Sequence, residues 1–398
     1  MGALYGGIVR IVCVGGGPAG LYFSILMKLW SPENVVTVFE RNKEGTTAGW
    51  GVTMEQKFLA LLASRDAESA QEIEWRSVRW HDQVVCFGGR REVSSFNGDA
   101  RGMGRQRFVD LLADRARHLG VDIRYSSEVR GKSELPDADL IVAADGVNSQ
   151  LRSGADFGTS ITEGRNKYIW LGTGQVFEAF NFIFEPTEAG LIWAYAYQHE
   201  PRTSTFIVEC GPETWSDLGF GTCSTGRALD RLESIFAVPL EGRRLWPQFT
   251  DGTEAQWLNF STVSNERWHR GNVVLVGDAA HTANFSAGLG TTVAIQDVVA
   301  LARQLRRVSK REGTGIWMSR RGIKEALAAY QSQRQVELRV HATEAARSAA
   351  WFENIPRYAN LTPAQFAVVL HSRRAPLLPK LPPRLFCHLY ALRQRIGL

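Results

Sequence analysis

The chain of 398 residues carries 46 Lys and Arg against 41 Asp and Glu, and is 44% apolar and 22% charged. That length supports two domains with a substantial core, and the near-average composition excludes a disordered or low-complexity chain. The net charge of +5 is spread without a Lys/Arg block, which argues against nucleic acid as a partner and suits a small anionic one.

The first apolar run, Ile8 to Val14, predicts a strand, and Gly15-Gly16-Gly17-Pro18-Ala19-Gly20 follows at once. G-x-G-x-x-G between a strand and a helix is a dinucleotide-binding spacing. Gly15 permits the tight turn, Gly17 leaves room for a pyrophosphate, and Gly20 lets the helix approach the sheet. The amides of the helix N-terminus then face the phosphates. A second apolar run, Val35 to Phe39, ends at Glu40 and Arg41, and Glu40 stands 20 residues after Gly20. An acid there accepts hydrogen bonds from a ribose diol. The first run is broken by Gly-Gly-Gly-Pro and continues into a second strand, so it reads as a β-α-β unit and not as a signal peptide.

Gly49-Trp50-Gly51 reads either as a mobile loop beside the ligand or as a plain turn. Gly104 to His118, opening with Arg105, has helical periodicity, and Val121 to Tyr125 reads as a strand. Leu140 to Ala144 is a buried strand ending in the turn Asp145-Gly146. From about 160 to 265 the chain changes to short, aromatic-rich alternating runs, which predict a mixed or antiparallel sheet. Within it Tyr195 and Tyr197 share a face with Trp193, either lining a substrate ring or packing a core. Val273 to Val276 then leads into Gly277-Asp278-Ala279-Ala280-His281. That turn puts a carboxylate at a strand end where a ligand's polyol can meet it. His281 is either a catalytic base or a hydrogen-bonding residue of the turn. Ile323 to about Asn354 is a long helical pattern, and a Pro-rich stretch from Pro376 precedes an amphipathic tail.

Five scattered cysteines with no C-x-x-C point to a reducing, cytoplasmic compartment and exclude a disulfide framework. The eight histidines show no ligand spacing, so no metal is expected. No apolar run approaches the ~18 residues of a membrane span. The expected organisation is a discontinuous nucleotide-binding domain (1–70, 100–158 and 266–310), an inserted sheet domain (71–99 and 159–265) and a C-terminal helical region (311–398).

Gly15–Gly20 with Glu40, Asp145-Gly146 at a strand end, and Gly277–His281 leading to Gly288-Leu289-Gly290 stand in the order of the para-hydroxybenzoate hydroxylase family. The chain resembles these single-component flavoprotein aromatic hydroxylases. The resemblance implies an α/β fold, a Rossmann-like FAD-binding domain with an inserted β-sheet substrate domain and C-terminal helices. It assigns Gly15, Gly17, Pro18, Ala19, Gly20, Glu40 and Arg41 to the ADP half of FAD and Asp278 to its ribityl chain. Gly288, Leu289 and Gly290 fall to the flavin edge, and Gly51, Arg105 and Asp145 to further cofactor contacts. It also implies ring hydroxylation by molecular oxygen through a C4a-hydroperoxyflavin. One fingerprint alone suits transient binding of NADH or NADPH, the implied reductant. Gly49 to Val52, Arg165 to Trp170 and Ser204 to Cys210 are similar to the aryl-CoA hydroxylases and to a violacein-pathway indole hydroxylase. The expected substrate is a small aromatic compound, free or linked to CoA or a carrier protein, with Tyr195, Tyr197 and His281 as candidate catalytic residues. A free indole-derived substrate, or a flavoprotein oxidase without oxygen insertion, stands as the alternative.

Overall fold

Runs rich in β-branched residues form β1 (Arg10–Val14) and β2 (Val35–Phe39), which pair in parallel across the Pro18–Trp30 helix. The computed structural model describes residues 9–248, 256–282, 284–288, 290–312 and 319–395. The Pro18–Trp30 helix is buried on every side from Ala19 to Lys28, the mark of a helix enclosed between layers. It lies between the sheet and the Arg105–His118 and Gly290–Glu312 helices.

Further along come β3 (Gly51–Glu55), β4 (Val78–Phe87), β5 (Arg90–Gly104), β6 (Asp122–Arg124) and β7 (Leu140–Ala143). The aromatic-rich region supplies β8 (Thr159–Thr173), β9 (Phe180–Thr187), β10 (Gly190–Glu200), β11 (Thr203–Cys210), β12 (Leu245–Pro247) and β13 (Leu258–Asn265). The chain returns through β14 (His269–Arg270) and β15 (Val273–Leu275). Two sheets result. The first has the order β14-β15-β7-β1-β2-β6 and is parallel except at β14. Its strands are apolar on both faces, as a sheet covered by helices requires. The second runs β12-β8-β11-β10-β9-β4-β5-β3, with β13 also on β8, and is antiparallel except between β4 and β9. The strand β3, which the sequence groups with the nucleotide-binding segments, hydrogen-bonds into this second sheet beside β5.

Alternation along β8 to β11 gives the second sheet two buried faces. Ile169, Leu171, Ala194, Phe206 and Val208 pack under the Thr225–Ile235 helix. Phe182, Phe184, Trp193, Tyr195 and Ile207 pack against Trp351 and Phe352, at the end of the Arg320–Glu353 helix, and Phe366 and Leu370 of the Pro363–His371 helix. Each fully buried Phe contributes about 1.5–3 kcal/mol, so the C-terminal helices are bound to this face by its aromatic residues. Among the described residues no helix is long and apolar enough to cross a membrane.

Candidate functional site

The first motif is shaped by backbone contact. Gly15 has φ +106°, and a Cβ there would collide with the Ala144 carbonyl. A Cβ on Gly20 would collide with the Gly15 carbonyl. At Gly17 an added Cβ meets nothing within 4 Å, so the loop opens outward at that residue. The Pro18–Trp30 helix starts with no side-chain cap, leaving its first amides available to an anion. Glu40 braces the loop, accepting from the Gly16 N–H at 2.6 Å and the Asn42 N–H at 2.8 Å. Carboxylate oxygens can accept further bonds. Arg41 beside it is exposed.

The second motif meets the first. A Cβ on Gly277 would stand 3.2 Å from Ala294 Cβ and 3.5 Å from Ala19 Cβ, so the Gly277–Ala279 turn lies against the start of the Pro18–Trp30 helix. Asp278 faces Arg105. Asp278 is exposed and Arg105 half-buried, and neither side chain makes a hydrogen bond to another described residue. Burial pulls Arg105 below its usual pKa, with Asp278 opposing; burial lifts Asp278 above its own, with Arg105 and His281 opposing. Gly288, at φ +67°, turns the chain into the Gly290–Glu312 helix, and a Cβ on Gly290 meets nothing within 4 Å. Leu289 lies outside the described residues. Asp145, at the end of β7, accepts from the Gln150 N–H at 2.8 Å and the Leu151 N–H at 3.4 Å. Its Oδ1 is buried without a partner and burial raises its pKa. The uncapped helix start, the open faces at Gly17 and Gly290 and the facing Arg105 and Asp278 fit an elongated dinucleotide. Its phosphates would meet amides and its polyol a carboxylate.

His281 sits beneath the turn. Its Nε2 is 2.8 Å from Asp297 Oδ2, and its ring stacks on Trp268. Asp297, wholly buried, also accepts from the Gly277 N–H at 3.0 Å and Arg334 Nε at 2.9 Å. Burial alone would raise the Asp297 pKa; His281 and Arg334 outweigh it and hold the group low. With that nitrogen committed, His281 braces the Gly277-Asp278 turn.

An aromatic chamber lies on the second sheet. Across β4, β9, β10, β11 and β8 the register aligns Val85, Phe182, Tyr195, Ile207 and Trp170. The next row is Phe87, Phe184, Trp193, Glu209 and Tyr168. Tyr195 donates to Glu209 Oε2 at 2.7 Å, Trp193 Nε1 donates to the same oxygen at 3.3 Å, and Asn166 Nδ2 donates to Oε1 at 2.7 Å. Burial still pushes Glu209 up to about 7. A small recess of about 10 Å³ opens there between Tyr168, Phe260, Phe285, Glu209 and Glu353. Tyr197 lies one row away, stacked on Phe180, and donates to the Gly51 carbonyl at 2.8 Å. A larger open groove, lined by Arg303, Arg307 and Gln333, is remote. Arg303 lies 13 residues beyond Gly290, about 20 Å along the helix.

The Trp50 loop is latched. Gly49 N–H donates to Gln248 Oε1, Gln248 Nε2 donates to the Thr47 carbonyl at 3.0 Å, and Arg105 N–H donates to the Trp50 carbonyl at 2.8 Å. The indole lies where a Cβ on Gly172 would come within 2.7 Å of its ring. The packed-turn reading therefore describes this conformation. Among the described residues no group of three or more His, Cys, Asp or Glu could hold a metal.

Glu209, Asn166 and Arg373 belong to the chamber without having been singled out in the sequence. Glu209 had a signal: a lone acid in the apolar run Thr205–Cys210, on the face of Thr205 and Ile207. Arg373 had none, being one of two adjacent arginines in a Pro-flanked loop.

Residues 9–335 match the family described as FAD binding domain. Over 380 residues the chain is 34% identical to salicyloyl-CoA 5-hydroxylase from Streptomyces sp, covering 92% of this chain and 70% of that protein. It is 30% identical over 397 residues to protodeoxyviolaceinate monooxygenase from Chromobacterium violaceum, covering 97% and 100%. A crystal structure of a 2-methyl-3-hydroxypyridine-5-carboxylic acid oxygenase mutant shares the fold at TM-score 0.71 and 21% identity, covering 92% of this chain and 96% of that one.

Proposed function

The chain belongs to the FAD-binding-domain family of flavin-dependent aromatic monooxygenases, and from that premise we propose that it hydroxylates an aromatic acid carried as a thioester, on coenzyme A or a carrier protein, with NADH or NADPH as reductant. The observation that carries the thioester is one of charge. After Glu353 the chain has no Asp or Glu, against Arg357, Arg373, Arg374, Lys380, Arg384, Arg393 and Arg395. This segment supplies the helices that cover the aromatic face, so a phosphate-bearing arm leaving the chamber there would run beside net positive charge. The similarity to a salicyloyl-CoA hydroxylase points the same way.

Bound FAD supplies the activation of oxygen. The chain's own residues bind, orient and exclude water. In this reading Gly15 to Gly20 and the helix behind them take the pyrophosphate, and Glu40 takes the ribose. Asp278 would accept from the ribityl hydroxyls, and the turn at Gly288 and the helix start at Gly290 would present their amides to the flavin. Tyr197 fixes the Gly51 carbonyl, and Tyr195 and its aromatic neighbours form a dry wall for the ring. His281 acts through Asp297 as a positioning residue, the hydrogen-bonding role of the two the sequence left open for it.

The test is reductant oxidation and oxygen-18 incorporation with hydroxy- and aminobenzoyl thioesters, the matching free acids, and indoles. The expected result is kcat/KM at least about tenfold higher for a thioester than for its free acid. Preference for the free acid overturns the reading. An indole-derived substrate is the second reading, favoured by the end-to-end match with the violacein-pathway enzyme. Reductant oxidation without labelled product would mark an oxidase.

A further inference from the structure

Arg373 follows the Pro363–His371 helix and turns inward. Its guanidinium carbon stands 5.3 Å from the ring centre of Phe182 and 5.9 Å from that of Phe352. Nε donates to Ser348 Oγ at 3.1 Å, one terminal nitrogen to the Leu370 carbonyl at 3.0 Å, and the other to the Ser286 carbonyl at 3.1 Å. Three of five N–H groups are thereby used. All three partners are neutral, and among the described residues no carboxylate pairs with this side chain.

The surroundings supply no counter-charge. Tyr195 of β10 is neutral, its ionisation opposed by burial and by Glu209. Glu209 itself is held by Asn166, Tyr195 and Trp193. Burial and Arg373 both lower the His371 pKa, and Arg374 is a second cation, with Glu344 at 4.0 Å. Burial, with Arg374 second, lowers Arg373 to about 10. A desolvated cation without an anion is costly unless a ligand provides one.

We propose that Arg373 receives an anionic oxygen of the aromatic substrate, the phenolate of a hydroxylated ring. The position argues for a ring substituent and against a cofactor phosphate. The guanidinium lies among Phe182, Phe352 and Tyr195, and its Ser286 partner stands two residues before Gly288. The proposal rests on the thioester reading for the choice of oxygen. A thioester removes the carboxylate charge, so a ring hydroxyl is the oxygen left to ionise. Its proton passes to bulk water, and the ionised form is the one held. An oxyanion on the ring donates electron density into it, which is what an electrophilic oxygen donor needs.

The test uses the FAD-loaded protein and para-nitrophenol, whose ionised form absorbs visibly, with para-nitroanisole as the isostere that cannot ionise. A cation this close should lower the probe's pKa by about one unit or more. The expected result is that shift, with at least about tenfold tighter binding than para-nitroanisole. Arg373→Lys should retain most of the shift and Arg373→Gln should abolish it. Ser348→Ala, which removes the staple and keeps the charge, should bind the probe unchanged. FAD affinity and melting temperature are read for each variant, because a merely structural arginine would alter these and leave the probe's pKa alone. Absence of probe binding, or an unchanged pKa in Arg373→Gln, overturns the proposal. So does Arg373-dependent binding of benzoate without a phenolate shift. Failure of every thioester as a substrate would instead sink the thioester reading, while the probe would still report on Arg373.

Discussion

The proposed phosphate cradle is made of backbone, and the aromatic chamber is made of side chains. Six consecutive residues, Gly15 to Gly20, shape the cradle, and two of them have no room for a single carbon. The chamber draws Val85, Phe182, Tyr195, Ile207 and Trp170 from five strands, Phe285 from a turn, Phe352 from a C-terminal helix and Arg373 from the loop after another. A backbone site fits one chemical group and tolerates no change. A side-chain site can be altered one residue at a time, which is how one cofactor scaffold serves many substrates.

The largest effect should come from the stiff end. In Gly20→Ala the added carbon meets the Gly15 carbonyl oxygen, which has nowhere to go. The expected outcome is loss of folded protein, or a melting temperature lower by about 4 °C or more even without FAD, equivalent to about 3 kcal/mol or more in a chain of this length. Gly17→Ala meets nothing within 4 Å, so apo-protein stability should hold while FAD affinity falls. Equal damage from both substitutions would break the distinction between a packed glycine and a glycine facing the ligand.

The chamber's strongest signal is a proton. Glu209 rises from an ordinary 4.5 to about 7 by burial. Between those values the folded protein holds a proton that the unfolded chain has released. The stability this contributes is complete below about pH 4.5, falls as pH rises, and is gone above about 7, on the order of 3 kcal/mol at most. His199, lowered to about 4 by burial, contributes a slope of the opposite sign, so the measurement is the difference between wild type and Glu209→Gln. Urea unfolding at pH 5 and pH 7.5 should show wild type losing stability relative to the variant. A constant difference would mean that Glu209 is ionised throughout.

These two ends also differ in how far the sequence reveals them. Glycine spacing, the strand before it and Glu40 are local, because a pyrophosphate against a helix start demands a particular backbone within a few residues. Both sheets were likewise legible, since parallel buried strands and alternating aromatic ones carry different patterns. The chamber's chemistry was not. Tyr195 could be placed on a face by alternation, but its bond to Glu209 depends on the register of β10 against β11, and that is set by long-range packing. His281 showed the same limit: its partner Asp297, itself held by Arg334, lies on a later helix, and only its arrival commits the His281 nitrogen.

Asp278 should give an intermediate effect. It makes no hydrogen bond to another described residue, so Asp278→Ala should leave the apo-protein's melting temperature unchanged. If ribityl hydroxyls are its partners, FAD should bind more weakly by about 1–3 kcal/mol, read by flavin fluorescence titration. Full affinity would remove Asp278 from the cofactor end.

The smallest and most selective effect belongs to the join between the two ends. The Trp50 loop is tied to the cradle side through Arg105 and to the chamber side through Tyr197, while Gln248 holds Thr47 and Gly49 from outside both. Alanine at Gly49 or Gly51 cannot test the loop cleanly. The new carbon would stand 2.8 Å from the Trp170 ring in one case and 2.6 Å from Thr205 Oγ1 in the other, and the loop would be rebuilt rather than released. Gln248→Ala removes three hydrogen bonds and adds no clash. If the loop gates access to the flavin, wild type should reduce its flavin at least about tenfold faster with substrate bound, a barrier difference of about 1.4 kcal/mol. The variant should then reduce faster than wild type without substrate, and the ratio between the two conditions should shrink, with FAD affinity unchanged. Stopped-flow reduction by NADH and NADPH reads both rates. A ratio as large in Gln248→Ala as in wild type would make this latch a structural tie, and substrate control of reduction would then have to lie inside the chamber, among Tyr195, Glu209 and Arg373.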